Sequence, residues 1–380
     1  MNEKLEYRKF NSFNQLKFKN NLNKNEIYKK IFLSLENKNY LSHLNVSQIK
    51  IINEVKSNLN DKEKTEFKLT DHVLHEIKQL DEKNIPIYLF HRYRYEIFPK
   101  KFFLDDFPPY LQIEPTSICN YRCVFCYQTD NKFNKRSNGY MGHMNFETFK
   151  KIIDQAEGNI EFISLASRGE PLLCPDIKKM LKYTSNKFLN LKINTNASLL
   201  DEEMSYAILE SGVKTLVFSA DAADSESYSK LRVNGKLEKI VRNIEQFQKI
   251  RFKHFNSKII TRVSGVKVNK DQKIEEMNKF WRNLADQVAF VNYVPWENVY
   301  ESDKLDMSIP CSDLWRRMFV WWNGDTNPCD VDYKSKLKVG NIKYKKLSEL
   351  WNSNNYKLLR NKHLAKKRNE TLPCNRCNVV

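Results

Sequence analysis

The sequence has 380 residues, an aromatic content of 12% and a formal net charge of +18. Its 9 glycines and 11 prolines are too few for a collagen-like or low-complexity chain. The longest notable apolar run, Met318 to Trp322, falls far short of the about 18 residues of a membrane-spanning helix. The first ten residues lack the apolar segment of a secretory signal, so we expect a cytoplasmic protein.

The first 105 residues have the pattern of a mainly helical N-terminal extension. Apolar residues recur at helical spacing over 25–38, 45–59 and 69–80, with Thr70 or Asp71 as a cap of the third helix. The aromatic and basic stretch 87–104 then predicts either a strand or an extended arm. Asp106 to Pro109 mark a boundary.

Strands and helices alternate after this boundary. Six apolar segments predict strands, over 111–116, 160–167, 189–196, 214–221, 258–268 and 287–294. Alternation of this kind implies a parallel sheet with right-handed crossovers, and six units are too few for an eight-unit barrel of about 250 residues. We therefore predict an α/β fold with a partial (β/α)6 barrel over 106–295, whose chemistry lies at the carboxyl ends of the strands.

The rest of the chain, 296–380, shows little periodicity apart from one helix near 348–367. A small region with few regular elements often depends on a bound metal for its stability. We expect a small irregular C-terminal domain.

Three cysteines lie within eight residues of the loop that follows the first predicted strand: Cys119, Cys123 and Cys126. Three thiolates on a tight loop can ligate three irons of a 4Fe-4S cluster and leave the fourth iron open. A structural zinc ion is the alternative, but zinc prefers four ligands and no nearby cysteine or histidine obviously completes this set.

This C-x3-C-x2-C string, with Phe125 before its last cysteine, resembles the radical S-adenosylmethionine (SAM) enzymes. Three further segments resemble the family's landmarks in the same order: SRGEP (167–171), NTNA (194–197) and FSAD (218–221). Arg168 and Ala197 stand where the family has glycine. The resemblance implies that the cofactor-binding residues are Phe125, Gly169, Glu170, Asn196, Ser219 and Asp221.

Within that set, Glu170 suits the methionine ammonium group of SAM, since a carboxylate pairs well with a cation. Asn196, Ser219 and Asp221 each precede a predicted helix and could instead cap it. Arg262 lies in the middle of an apolar strand. An inward arginine there needs a carboxylate of the cofactor or substrate and would be a catalytic candidate, whereas an outward one would be solvated.

Four more cysteines form a second group: Cys311, Cys329, Cys374 and Cys377. With Gly324 they make C-x12-G-x4-C and a late C-x2-C, and Asn323 and Gly324 predict a tight turn between two strands. This layout resembles the SPASM domains and their shorter twitch form, especially that of the 2-deoxy-scyllo-inosamine dehydrogenases. It implies one fully ligated auxiliary 4Fe-4S cluster, although zinc also fits four cysteines. Cys174 belongs to neither cysteine group, and we predict that it is not a ligand.

The resemblance implies an oxidoreductase that cleaves SAM, forms a 5′-deoxyadenosyl radical and abstracts hydrogen from a small polar substrate, carbohydrate-like or cyclitol-like. A two-electron oxidation and an electron donor such as flavodoxin or ferredoxin are implied as well. The alternative is a peptide maturase, in which residues 1–105 recognise a leader peptide. The charge of +18 makes an RNA-binding or RNA-modifying protein a candidate of a different class. Only 16 of the 64 basic residues are arginines, however, which favours a solvated lysine-rich surface that binds no nucleic acid.

Overall fold

The structure is a computed structural model that describes residues 16–19, 22–61, 66–255 and 258–378. The first ten residues, on which the expectation about secretion rests, lie outside the described residues. No helix of the described part combines the length and the apolarity needed to cross a bilayer.

The described residues up to 105 are mainly helical, as predicted, and contain α1 (Lys24–Glu36), α2 (Lys38–Leu41), α3 (Val46–Asn60), α4 (Asp71–Gln79) and α5 (Ile85–Lys101). Polar caps fix where these helices begin. Asn45 and Gln48 form a reciprocal capping box at α3, and Thr70 holds the N-cap position of α4.

The expectation of a strand or extended arm over 87–104 is wrong, because most of this stretch belongs to α5. Pro86 lies in the first turn of that helix, where a missing N–H is tolerated. Almost every side chain of α5 is buried, so the helix has no single apolar face and its helical period does not show in the sequence.

Six parallel strands form the centre of the molecule, which confirms the predicted α/β fold. They are β2 (Tyr110–Ile113), β4 (Phe162–Leu165), β5 (Asn190–Thr195), β6 (Thr215–Ser219), β8 (Ile260–Lys267) and β9 (Gln287–Asn292). The helices that cover them are α6 (Phe146–Ala156), α7 (Ile177–Thr184), α8 (Glu202–Glu210), α9 (Ser225–Leu231), α10 (Leu237–Ile250) and α11 (Ile274–Arg282).

The sheet is open, since its terminal strands pair with other segments rather than with each other. The short strand β1 (Lys17–Phe18) pairs antiparallel with β9 at one end. At the other end β10 (Arg317–Val320) runs parallel to β2, followed by β11 (Asp325–Asn327) and β12 (Gly340–Asn341). The strand pair β3 (Arg122–Cys123) and β7 (Arg232–Val233) forms separately.

Alternation along the parallel strands separates an apolar outer face from a polar inner face. On β5, Leu191 and Ile193 are buried in the apolar core, whereas Asn190, Lys192 and Asn194 line an inner cavity. The helices α4 and α5 close the cavity at the amino ends of the strands. There the ring of His91 stacks at 3.7 Å on that of Phe162, the first residue of β4.

The C-terminal region confirms the predicted turn at Asn323 and Gly324. β10 and β11 pair antiparallel on either side of it, and Gly324 has φ +85°, a conformation that favours glycine. The single helix expected near 348–367 is wrong, since the structure has α12 (Leu347–Trp351) and α13 (Asn354–Leu364). Ser353 between them caps α13 through its hydroxyl, which accepts from the Tyr356 amide at 3.4 Å.

Candidate functional site

The first three cysteines lie on the loop after β2, which polar contacts hold in place. The Thr116 hydroxyl donates to the carbonyl of Gly142 at 3.0 Å and accepts from the Ile118 amide at 3.0 Å. Cys123 belongs to β3, and its pairing with β7 fixes the middle of the loop. All three thiols are free.

Electrostatics at this loop fit an iron–sulfur cluster. Burial raises the pKa of the Cys119 thiol to about 12, and burial also raises the pKa values of Cys123 and Cys126. The Cys123 thiolate raises the pKa of Cys119, and both of these thiolates raise the pKa of Cys126, which places the three sulfurs near one another. Iron ions would supply the positive charge that three buried thiolates lack.

Glu170 follows β4 and faces the same loop. Its Oε1 accepts from the Thr195 hydroxyl at 2.6 Å, and its Oε2 accepts from the Asn196 amide at 2.7 Å. The side chain is 3% exposed, and burial raises the pKa of its carboxyl group. Its own amide donates to the carbonyl of Ile118 at 2.9 Å, so the carboxylate is fixed against the cysteine loop.

Gly169 lies where two backbone segments pass very close together. A Cβ at this position would come within 2.5 Å of the Ile118 oxygen and 2.7 Å of the Ser117 carbonyl carbon. Any side chain would therefore push the segment that carries Glu170 away from the cysteine loop.

Asn196 also lies beside the cysteine loop. Its side-chain amide donates to Asn120 Oδ1 at 2.9 Å, and its carbonyl oxygen accepts from the Ser198 amide at 2.9 Å. The capping alternative for Asn196, Ser219 and Asp221 is wrong, because Asp201 caps α8 and Asp224 caps α9.

Asp221 is buried and engaged through both oxygens. Oδ2 accepts from Arg232 Nε at 2.6 Å, and Oδ1 accepts from the Val266 amide at 2.7 Å. The Arg232 guanidinium lies 3.9 Å from Cys123 Sγ and 5.8 Å from the centre of the Phe125 ring. Asp221 therefore positions an arginine beside the cysteine loop.

Arg168, where the family pattern has glycine, has a structural role that sequence reasoning missed. Its Nη2 and Nε donate to the two carboxylate oxygens of Glu114, at 2.6 and 2.7 Å, and its Nη1 donates to the Tyr333 carbonyl at 2.8 Å. The sequence feature that could have indicated this role is Glu114, since a carboxylate directly after an apolar strand needs a cation when it is buried.

One cavity of about 470 Å³ brings the predicted residues of this site together. It is lined by Cys119, Cys123, Phe125, Cys126, Gly169, Glu170, Asn196, Ser219, Asp221 and Arg262. Arg262 is 8% exposed and donates from Nε to Gln287 Oε1 at 2.9 Å, so the alternative of an outward, solvated arginine is wrong.

The second cysteine group lies in the C-terminal region, with Cys311 and Cys377 buried and Cys329 and Cys374 half-buried. Burial raises the pKa of the Cys311 thiol to about 12, and it raises the pKa values of Cys329 and Cys374 as well. The Cys377 thiolate raises the pKa of each of these three thiols, which places the four sulfurs near one another. The amide of Cys311 donates to His363 Nδ1 at 3.1 Å.

Three further observations concern the cysteines and the cavity. Cys174 lies apart in the apolar core, where its thiol is 3.9 Å from the Met144 carbonyl. Within the described ranges no three His, Cys, Asp or Glu side chains converge as they do around a single ion. Asp330, next to Cys329 in the chain, lines the cavity, whereas Cys329 itself is not among its lining residues.

Two parts of the chain match known protein families. The Radical SAM superfamily matches residues 113–280, and SPASM, an iron–sulfur cluster-binding domain, matches residues 311–378. The GTP 3′,8-cyclase of Clostridium botulinum is 27% identical over 188 residues, which cover 49% of this chain and 56% of the cyclase. The match therefore spans little more than half the length of that relative.

Two solved structures resemble the fold. SuiB of Streptococcus suis is 17% identical with a TM-score of 0.54, over 88% of this chain and 83% of SuiB, and it has also been solved bound to its precursor peptide SuiA. BtrN in complex with AdoMet and 2-DOIA is 18% identical with a TM-score of 0.49, over 71% of this chain and 93% of BtrN.

Proposed function

Because the chain belongs to the radical SAM superfamily and carries a C-terminal SPASM domain, we propose that it oxidises a small polar, carbohydrate-like or cyclitol-like substrate by two electrons. Its cofactors are SAM, a 4Fe-4S cluster and an auxiliary cluster. When bound, SAM and the first cluster supply a 5′-deoxyadenosyl radical, which removes a hydrogen atom from carbon.

We assign the cluster ligands by position. Cys119, Cys123 and Cys126 lie together on the loop after β2 and line the cavity, so they would supply three thiolates to a 4Fe-4S cluster and leave its fourth iron for SAM. The second group, Cys311, Cys329, Cys374 and Cys377, supplies four thiolates and closes the coordination of the auxiliary cluster.

Glu170 is the residue that we assign to the ammonium group of SAM. A carboxylate has about four lone pairs, and those that Thr195, Asn196 and Leu172 do not use remain for a ligand in the cavity. Gly169 allows the close backbone approach that aims this carboxylate.

The other four cofactor-binding candidates act around Glu170. We assign contacts with the remainder of SAM to Phe125, Asn196 and Ser219, which line the cavity. Asp221 acts indirectly, since Arg232 and the Val266 amide occupy its oxygens.

The observation that supports the oxidation is that the cavity of the first cysteine group also reaches the chain segment next to Cys329. Its wall includes the first three cysteines and Asp330, the neighbour of Cys329. Once a C–H hydrogen is removed from an alcohol carbon, formation of the carbonyl requires loss of one further electron and of the hydroxyl proton. A nearby auxiliary centre can accept that electron, and an external donor such as flavodoxin or ferredoxin supplies the electron that cleaves SAM.

A test is to reconstitute the protein anaerobically and reduce it with SAM in the presence of polyols and aminocyclitols. We expect 5′-deoxyadenosine and, with the correct substrate, a product lighter by two hydrogens, about 2 mass units. A product of unchanged mass or a cross-linked product would contradict the oxidation while leaving SAM cleavage intact. Absence of 5′-deoxyadenosine under all conditions would contradict the radical chemistry itself.

The peptide-maturase alternative receives less support from the N-terminal extension. Among the described residues up to 105, the strand is β1, two residues long, and it already pairs with β9. A leader peptide that adds to a sheet edge needs a longer free strand. Instead, α4 and α5 pack against the amino ends of the barrel strands and line the substrate cavity.

A further inference from the structure

Three basic side chains face the cavity from three strands and form what we term the cation cluster: Lys192, Arg262 and Arg317. Lys192 and Arg262 are each the third residue of their strand, and Arg317 is the first residue of β10. The cluster therefore lies toward the amino ends of the strands, whereas the cysteine loop follows the carboxyl end of β2.

Arg317 is the cation of the cluster whose contacts point most directly to a ligand. It is 4% exposed, and its Nη2 donates to Gln112 Oε1 at 2.8 Å. Among the residues that the structure describes, neither Nε nor Nη1 of Arg317 reaches a hydrogen-bond acceptor. Two buried donors of a charged group without acceptors are unfavourable, unless a ligand supplies them.

Tyr110 is a neighbour of two of the three cations. Its ring lies 4.8 Å from the Arg317 guanidinium carbon and 5.8 Å from Lys192 Nζ. Arg262 lines the same cavity. Two positive charges therefore lie against one aromatic ring at this end of the cavity, and the third faces the same space.

Carboxylates facing this region from α4 and α5 are already engaged. Glu76 accepts a hydrogen bond from the Tyr88 hydroxyl at 2.5 Å, and Glu96 pairs with Arg92. Burial lowers the pKa of His72 strongly, and Arg262, Arg92 and Lys192 lower it further, so this histidine adds no positive charge near neutral pH. The cation cluster and Arg92 thus carry four positive charges, against the two negative charges of Glu76 and Glu96. The difference leaves a positive field at this end of the cavity.

We propose that the cation cluster binds an anionic group of the substrate, a carboxylate or a phosphate, with the open N–H groups of Arg317 as its principal donors. The proposal deepens the function proposed above and rests on it. The length of β2 sets the scale: Tyr110 and Ile113 are three steps of about 3.3 Å apart. A substrate whose anionic group is bound at the cluster would extend by about the length of one sugar unit toward the cysteine loop. Binding of the anion therefore determines which carbon loses its hydrogen.

Anion binding can be measured without catalysis. Holoenzyme with both clusters and saturating SAM is titrated with inorganic phosphate or succinate by anaerobic calorimetry, at constant ionic strength kept with chloride. We expect binding of at least one probe at one site per chain, and at least tenfold weaker binding in R317Q. The probe that binds tells a phosphate substrate from a carboxylate substrate. K345Q, at an exposed position, is the matched control and should bind like the wild type.

Three results would overturn the proposal: no binding of either probe, equal binding by R317Q and the wild type, or displacement of SAM by the probe, which would assign the cluster to the cofactor. If R317Q does not fold, as judged by circular dichroism, K192M provides the same comparison. Formation of 5′-deoxyadenosine by the wild type is measured separately. A protein that cleaves SAM but binds no anion disproves this inference alone, and one that binds anions but never cleaves SAM disproves the proposed function.

Discussion

Arg168 and Glu114 form a buried ion pair at the junction between the barrel and the C-terminal region. The guanidinium donates to both carboxylate oxygens, and Glu114 is 0% exposed. Arg168 also donates to the Tyr333 carbonyl and lies 4.2 Å from the Trp321 ring. The pair thus joins the segments after β2 and β4 to the region that carries the second cysteine group.

Replacing Arg168 by glutamine should destabilise the protein by about 3–5 kcal/mol, because it leaves the Glu114 carboxylate buried without its partner. Urea unfolding of the holoenzyme under argon measures this change. The exposed pair of Lys150 and Asp154 provides a control, since K150Q should leave the unfolding curve almost unchanged. The double variant R168Q/E114Q should regain part of the loss. Equal stability of R168Q and K150Q would show that the buried pair contributes nothing.

The first cysteine group can be tested by its iron. The wild type should hold about eight irons in two clusters, and C119A/C123A/C126A about four, with no 5′-deoxyadenosine formed. C174A removes a thiol that lies in the apolar core and should keep the full iron content. If the triple variant still cleaves SAM, the ligand assignment is wrong. Zinc in place of iron in the wild type would contradict it as well.

The second cysteine group should separate SAM cleavage from substrate oxidation. C374A/C377A removes two of four ligands, so we expect loss of about half of the iron, some remaining 5′-deoxyadenosine formation and no oxidised product. Circular dichroism establishes whether the C-terminal region still folds. Full oxidation by a folded double variant would exclude an electron-accepting role for this centre.

Glu170 should matter for SAM affinity more than for folding. E170Q removes the negative charge and brings an amide that can face the Asn196 N–H, a donor that now contacts Oε2 at 2.7 Å. We expect at least tenfold weaker SAM binding in equilibrium dialysis, because hydrogen bonds to a charged group contribute about 1.5–3 kcal/mol. E203Q, on the exposed surface of α8, is the control. Unchanged affinity in E170Q would remove Glu170 from the cofactor site.

Strand periodicity was sufficient to predict the six parallel strands, and cysteine spacing and short motifs were sufficient to select residues that line one cavity, because both depend on local sequence. The residues around Glu170 followed from short motifs at the ends of β4 and β5. What could not be predicted depends on distant contacts. The helix α5 is buried almost all round, and Arg317 enters the cavity only because β10 pairs with β2, about two hundred residues earlier in the chain. Glu114 indicates from the sequence that a cation must lie nearby, but only the structure identifies that cation as Arg168.

His91 should make the stability of the protein depend on pH. Burial lowers its pKa to about 4, against the opposing effect of Glu161, whose carboxylate is 3.6 Å from Nδ1; Arg92 and Arg94 lower it further. Between about pH 6.5 and 4 the unfolded chain binds a proton that folded His91 does not, so stability contributed by this histidine falls as the pH falls. From pH 7.5 to 5.5 the wild type should lose about 1 kcal/mol more than H91F, which keeps the stacking on Phe162.

Urea unfolding at the two pH values measures this difference, with H43Q at an exposed position as the matched control. H43Q should follow the wild type, whereas H91F should show the shallower dependence. Since His72 is also buried and its pKa is also lowered, H91F should keep part of the pH dependence rather than abolish it. Parallel curves for wild type and H91F would mean that folded His91 takes up its proton at the same pH as the unfolded chain, and that α5 tolerates a charge against the first residue of β4.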